Sequence, residues 1–231
     1  MINTIFKIID TNLQLLKTDP DRHLERIDLD RFYPNFLNGT LMLPKIKLYD
    51  GPLPNNLITF NEARARFNKG HSIHGCVCHY IDDRRFQCTY RDPVKYIPFY
   101  KSCGTVIGPD FSLYINTSEE HKRLNVFRNH LLSLIWQHCG IALIPNVSWA
   151  EPFSFDYCFQ PFPQNSVVAI NSTGCRGNIL SPYYWNKGYE QVLLQLCPST
   201  VLRYGPKMEN EDVERSQFYA NPHLTHMRKI S

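Results

Sequence analysis

With 231 residues, 43% of them apolar, the chain has material for one sizeable core, which excludes a disordered or low-complexity protein. A net charge of +4, spread without any block of consecutive Lys and Arg, excludes a basic nucleic-acid-binding tail but leaves a polyanionic partner open. No apolar run approaches the ~18 residues of a membrane span, so no membrane is expected.

Met1 to Leu16 places Ile2, Ile5, Phe6, Ile9, Leu13 and Leu16 at helical spacing, which predicts an amphipathic helix docked on the body. Its charges and the absence of a cleavage site argue against an export signal. The eight cysteines therefore read as reduced thiols of a cytoplasmic protein. Pro34, Asn38-Gly39, Pro44, Gly51-Pro52 and Pro54 punctuate the rest of residues 1–70, an irregular entry in which Asn61 to Asn68 is a short helix.

Ile73 to Tyr80 alternates as a strand, and Phe86, Cys88 and Tyr90 share one face of a second. Thr105 to Gly108 is the next strand. Thr117 and Glu120 stand at capping-box spacing before a helical stripe running from Leu124 to His138, closed by Gly140. Ile141 to Ile144 returns as a strand, completing a strand–helix–strand crossover. Ser166 to Ile170, Tyr184 to Leu196 and Val201 to Tyr204 repeat the unit, and residues 207–231 read as a loosely held polar tail. The pattern predicts an α/β protein of one domain. Its core, residues 71–206, is a mostly parallel central sheet flanked by helices, with the irregular N-terminal region packed on it.

Three apolar strands end alike. Val106-Ile107 runs into Gly108-Pro109-Asp110, Ile141 to Ile144 into Pro145-Asn146, and Val167 to Ile170 into Asn171-Ser172-Thr173. Strand ends of an α/β sheet line the crevice where ligands bind, so Asp110, Asn146 and Asn171 are the candidate catalytic residues. A carboxylate there can orient water, take its proton or stabilise a cationic transition state, and the amides can read a base edge. Phe111, Ser112, Tyr114, Ser148, Trp149, Phe155, Ser172 and Thr173 crowd the same loops and are the candidate substrate-binding residues, suited to a flat ligand. Arg84, Arg85, Arg176 and Lys187 are the candidate DNA contacts. Cys76 and Cys78 are one residue apart, and Cys-x-x-Cys is absent, which argues against a structural zinc. No metal or cofactor is expected, and the oligomeric state is left open.

Several segments together resemble a domain-of-unknown-function family of phages, prophages and other bacterial mobile elements. They are Asp82-Asp83, Gly108 to Tyr114, Trp136-Gln137, Gly140-Ile141, Ile144 to Trp149, Ser166 to Ala169 and Tyr204-Gly205. That resemblance implies no activity. Gly108-Pro109-Asp110-Phe111 further resembles, more loosely, the polar motif after the first core strand of uracil-DNA-glycosylase-type domains. The Gln-Asp-Pro-Tyr order and the later His-Pro-Ser motif of those enzymes are missing here. This second resemblance implies a DNA glycosylase, in phage defence if it follows the enzymes that remove modified cytosine. Two other readings are a non-catalytic DNA-binding protein and a metal-dependent nuclease built on Asp82, Asp83 and Asp110.

Overall fold

In the computed structural model, residues 2–24, 26–33, 43, 45–160, 162–177 and 179–219 are described. Helix α1 (Ile2–Thr18) packs through Ile5 and Ile9, the buried members of its apolar stripe. Then come β1 (Leu57–Thr59), α2 (Phe60–Asn68), β2 (Cys76–Cys78), α3 (Asp83–Phe86), α4 (Cys88–Arg91), α5 (Pro93–Lys101) and β3 (Val106–Ile107). The long helix α6 (Glu119–His138) leads to β4 (Leu143–Ile144), α7 (Phe155–Cys158), β5 (Val167–Asn171), α8 (Leu180–Leu196), β6 (Thr200–Tyr204) and β7 (Ser216–Tyr219). Among the described residues no helix is long and apolar enough to cross a membrane, and all eight cysteines are free thiols.

Every strand pair is parallel and follows chain order: β1 to β4 form one sheet and β5 to β7 another. A parallel bridge between Asn146 and Ala169 joins the two. There Val147 N donates to Ala169 O at 2.9 Å and Ala169 N to Pro145 O at 2.8 Å. Among the described residues the strand order does not reverse, so no crevice opens at a switch point. Instead the sheet curls. Leu57, Cys76, Cys78, Ile107, Ile144, Val167, Ala169, Leu202 and Tyr219, drawn from all the strands, share one interior cluster. Their alternate neighbours Ile58, Val77, Val106, Leu143, Val168, Ile170 and Val201 belong to the larger core under the helices. Tyr219 and Gln217 of β7 both donate to Pro54 O, just before β1, at 2.5 and 3.4 Å, so side chains close the gap between the edge strands. The result is a small parallel barrel with helices outside.

Four expectations change. Phe86, Cys88 and Tyr90 do not form a strand. The Asp82 carboxylate accepts from Arg84 N at 3.0 Å and starts α3. The four-residue spacing of Phe86 and Tyr90 then turns both rings onto Phe111, at 4.8 and 5.8 Å. Ser118, not Thr117, caps α6 by accepting from His121 N at 3.3 Å, while the Thr117 hydroxyl donates to Tyr114 O at 2.8 Å. The polar tail contains β7, whose backbone pairs with β6 from Val201–Ser216 to Tyr204–Tyr219. The irregular entry contains β1, paired with β2. The turns expected at Pro34, Asn38-Gly39 and Pro44, and residues 220–231, lie outside the described residues.

Candidate active site

Period-2 alternation explains which groups reach the upper end of the barrel. Cys78, Ile144, Ala169 and Leu202 point inward, so Tyr80, Asn146, Asn171 and Tyr204, two residues on, project over the same interior. Tyr80 and Tyr204 stack across it with centroids 4.8 Å apart. Asp110 enters from the Gly108-Pro109 turn. A Cβ on Gly108 would stand 3.0 Å from Ser133 Oγ and 3.3 Å from Asn146 N, so a larger residue would push β3 away from α6 and β4.

The side chains of Asp110, Asn146, Asn171 and Tyr80 form one network. Asp110 Oδ1 accepts from Asn146 Nδ2 at 2.9 Å, and Oδ2 accepts from Asn171 Nδ2 at 3.2 Å. Asn146 spends its other hydrogen on Pro109 O at 3.1 Å, and its Oδ1 accepts from the Tyr80 hydroxyl at 2.9 Å. Asn171 Oδ1 accepts from Thr173 N at 2.8 Å. Asn146 therefore has no hydrogen left to offer a base, whereas Asn171 keeps one N–H. Desolvation lifts the Asp110 carboxyl above its ordinary 3.8, the two amide donors oppose that rise, and nearby Asp83 adds to it. Among the described residues no Lys or Arg forms an ion pair with Asp110.

Asp110 and Asn171 line a cavity of about 320 Å³ whose wall includes Ser148, Trp149, Tyr184 and Trp185. Trp149 lies flat on α8 because position 188 is glycine: a Cβ there would meet its Nε1 at 2.0 Å. Its Nε1–H donates to Tyr184 O at 3.1 Å. Trp185 stacks on Tyr189 at 5.1 Å and 13°, and the Arg203 guanidinium backs it 4.6 Å from the ring centroid. The loop after β4 is fastened by buried Lys122, which donates to Glu119 at 2.8 Å and also to Glu151. The loop after β3 is fastened by Asp83, which accepts from Ser112 N at 3.1 Å and from the Ser112 hydroxyl at 2.8 Å.

Of the residues singled out in the sequence, Asp110, Ser112, Tyr114, Ser148, Trp149, Asn171 and Thr173 meet at this cavity. Asn146 sits beneath Asp110 and holds it. Three do not line the cavity. Phe111 is buried against Phe86 and Tyr90. Phe155 packs on Phe159 at 5.5 Å. Ser172 is turned away to donate to Pro206 O at 2.6 Å. The four expected cations also lie off the cavity wall. Arg84 pairs with Asp82 at 2.9 Å, Lys187 with Glu190 at 3.0 Å, Arg176 donates to Lys207 O, and Arg85 is exposed. Among the described residues no three His, Cys, Asp or Glu side chains converge to hold a metal, Asp82, Asp83 and Asp110 included. Sequence reasoning missed Tyr80, Tyr184 and Trp185. Tyr80 was legible as the inward partner of Cys78. The two helix residues carried no such signal.

Comparison with known proteins adds a family and no activity. Residues 36–220 match the model of a domain of unknown function, DUF4417. The chain is 30% identical over 177 residues to the Gene 1 protein of Mycobacterium phage D29, covering 73% of this chain and 65% of that one. It is 31% identical over 140 residues to the Gene 1 protein of Mycobacterium phage L5, covering 61% of each. The match thus spans less than two thirds of either relative's length. No solved structure matches the chain. With the family match running from the irregular entry to the end of β7, the chain belongs to the DUF4417 family, a domain of unknown function shared with phage proteins.

Proposed function

We propose that the chain is a DNA glycosylase: a base enters the aromatic-walled cavity and its N-glycosidic bond is hydrolysed over Asp110. The observation that carries this reading is a desolvated carboxylate held by two neutral amides and left without a cation, at the floor of a cavity of about 320 Å³. As the C1′–N bond breaks, its electron pair leaves with the base and the sugar becomes oxocarbenium-like. Asp110, ionised, stabilises that charge and accepts a proton from the water whose oxygen bonds to C1′. Asn146 and Asn171 fix one carboxylate oxygen each, so the group is aimed before substrate arrives. Trp149 offers a ring face to the base, Trp185 closes the wall beside it, and the remaining Asn171 N–H offers it a donor.

The test incubates the purified chain, without added metal, with ordinary duplex DNA, uracil-containing DNA and DNA bearing modified cytosines. Alkali then reveals abasic sites. Breaks that appear only after alkali, reduced about 100-fold or more in Asp110→Asn, are the expected result. Strand cuts without alkali, or base release unchanged by Asp110→Asn, would overturn the reading.

A further inference from the structure

Around the cavity mouth the chain exposes apolar side chains that a monomer in water has no reason to keep there. Tyr114, Phe153, Ile179, Leu180 and Tyr183 are 61, 78, 94, 53 and 56% exposed. They belong to the segments that follow β3, β4 and β5, the same segments that supply the cavity wall. Tyr114 lines the cavity itself, Leu180 and Tyr183 flank the lining residues Ser181 and Tyr184, and the turn carrying Phe153 packs against α8. Other exposed large apolar residues, such as Leu48, Phe67 and Phe218, lie on segments that do not line it, and Leu194 lies toward the far end of α8. A clustered apolar rim around a cavity marks a surface that something covers.

Charge and ring chemistry indicate what covers it. Tracking a duplex needs rows of uncommitted Lys and Arg facing phosphates. Here Arg84 is held by Asp82 and Lys187 by Glu190, while Arg85 is exposed. Arg176 spends a guanidinium hydrogen on the Lys207 carbonyl. An anionic membrane would need the same free cations. A single strand, unlike a duplex or a membrane, also presents unpaired base faces that gain from stacking on rings, and three of the five rim residues are aromatic.

We infer that this rim is a base-stacking platform, and that the nucleic acid the chain engages is single-stranded where it meets the cavity. The inference rests on the glycosidic reading of the cavity and names its substrate class. One unpaired nucleotide fills the cavity while its neighbours lie on Tyr114, Phe153 and Tyr183. Ile179 and Leu180 fill the space between them and exclude water.

The test is fluorescence polarisation of a labelled DNA single strand and its duplex with the whole chain, repeated at low and physiological salt. Tighter binding of the single strand by roughly ten-fold or more, with a shallow salt dependence, is expected. Phe153→Ser and Tyr183→Ser should each weaken it by roughly ten-fold, and Phe153→Trp should retain it. Because these side chains are exposed, the substitutions leave the core intact. Equal or better duplex binding, indifference to both serine variants, or binding to phosphatidylserine vesicles in place of DNA would each overturn the platform. Asp110→Asn separates the two readings. Single-strand binding retained in that variant, with no base ever released by the wild type, sinks the glycosylase and leaves the platform. Base release from duplex that is indifferent to Phe153→Ser sinks the platform and leaves the glycosylase.

Discussion

Asp110 and Glu211 are two acidic side chains removed from bulk water on the same barrel, and they are held in opposite ways. Glu211 lies behind β6 with its carboxylate inaccessible, and Arg203, equally inaccessible, donates to it at 2.5 Å. Arg203 also donates to the carbonyls of Ile170 and Tyr204, and Met208 N donates to Glu211, so the pair ties the β6–β7 connection to β5. Asp110 has only amide donors and faces a cavity. A charge cancelled by a buried cation is structural. A charge left uncancelled beside open space destabilises the empty protein and is available to a ligand that brings positive charge.

The contrast is most easily broken at Arg203. Arg203→Met leaves Glu211 buried with one backbone donor, and should cost about 3–5 kcal/mol in urea unfolding. Replacing both partners by apolar residues should recover most of that. A cost of the single change below ~1 kcal/mol would mean the pair is not structural. Gly188→Ala tests the cavity wall on the Asp110 side. The new Cβ collides with Trp149 at 2.0 Å. The strain, about 1–3 kcal/mol, should outweigh the ~1 kcal/mol of helix propensity that alanine adds. Indole fluorescence should shift as Trp149 leaves its place.

Tyr80→Phe sharpens the Asp110 side of the comparison. It leaves Asn146 Oδ1 buried without its donor, costing about 1–2 kcal/mol, and frees that amide to rotate off Asp110. Base release should fall while the cavity keeps its shape, and a variant as active as wild type would remove Tyr80 from the positioning network. Smallest is the effect of Asp110→Asn on stability, within ~1 kcal/mol, because lifting the desolvation cost offsets a weakened hydrogen bond. Its sign depends on pH. Asp110 titrates above 3.8 in the folded state, so there the native form holds more protons than the unfolded one. The wild type therefore loses stability as pH rises through that window, and regains it as pH falls. Denaturation of both proteins across pH should show the variant gaining on the wild type from about pH 4 upward. A gap that moves the other way would place the Asp110 pKa below its ordinary value.

Much of this was legible from local chemistry. The apolar runs ending at Asp110, Asn146 and Asn171 marked the end of the sheet where the cavity lies, because a strand stopped by a turn-former must display its last polar group at the sheet's edge. Where local pattern misled, a longer-range partner prevailed. Phe86 and Tyr90 fit strand and helix spacing equally, and the Asp82 cap with the Phe111 contact selected the helix. Phe111 looked like a cavity wall, but its neighbours Phe86 and Tyr90 drew it into the core.

By itself the sequence determined the parallel α/β character, the amphipathic helices and the identity of Asp110, since periodicity, caps and turn-formers act over a few residues. Only the tertiary structure decided that the sheet curls in chain order into a barrel, which sets Tyr80 over Asn146 and Trp185 over Arg203. It alone also decided that Asn146 serves the carboxylate rather than a base. Hydrogen-bond valence is a property of what surrounds a side chain, and residues 36 or 61 positions away in the chain supply those surroundings here.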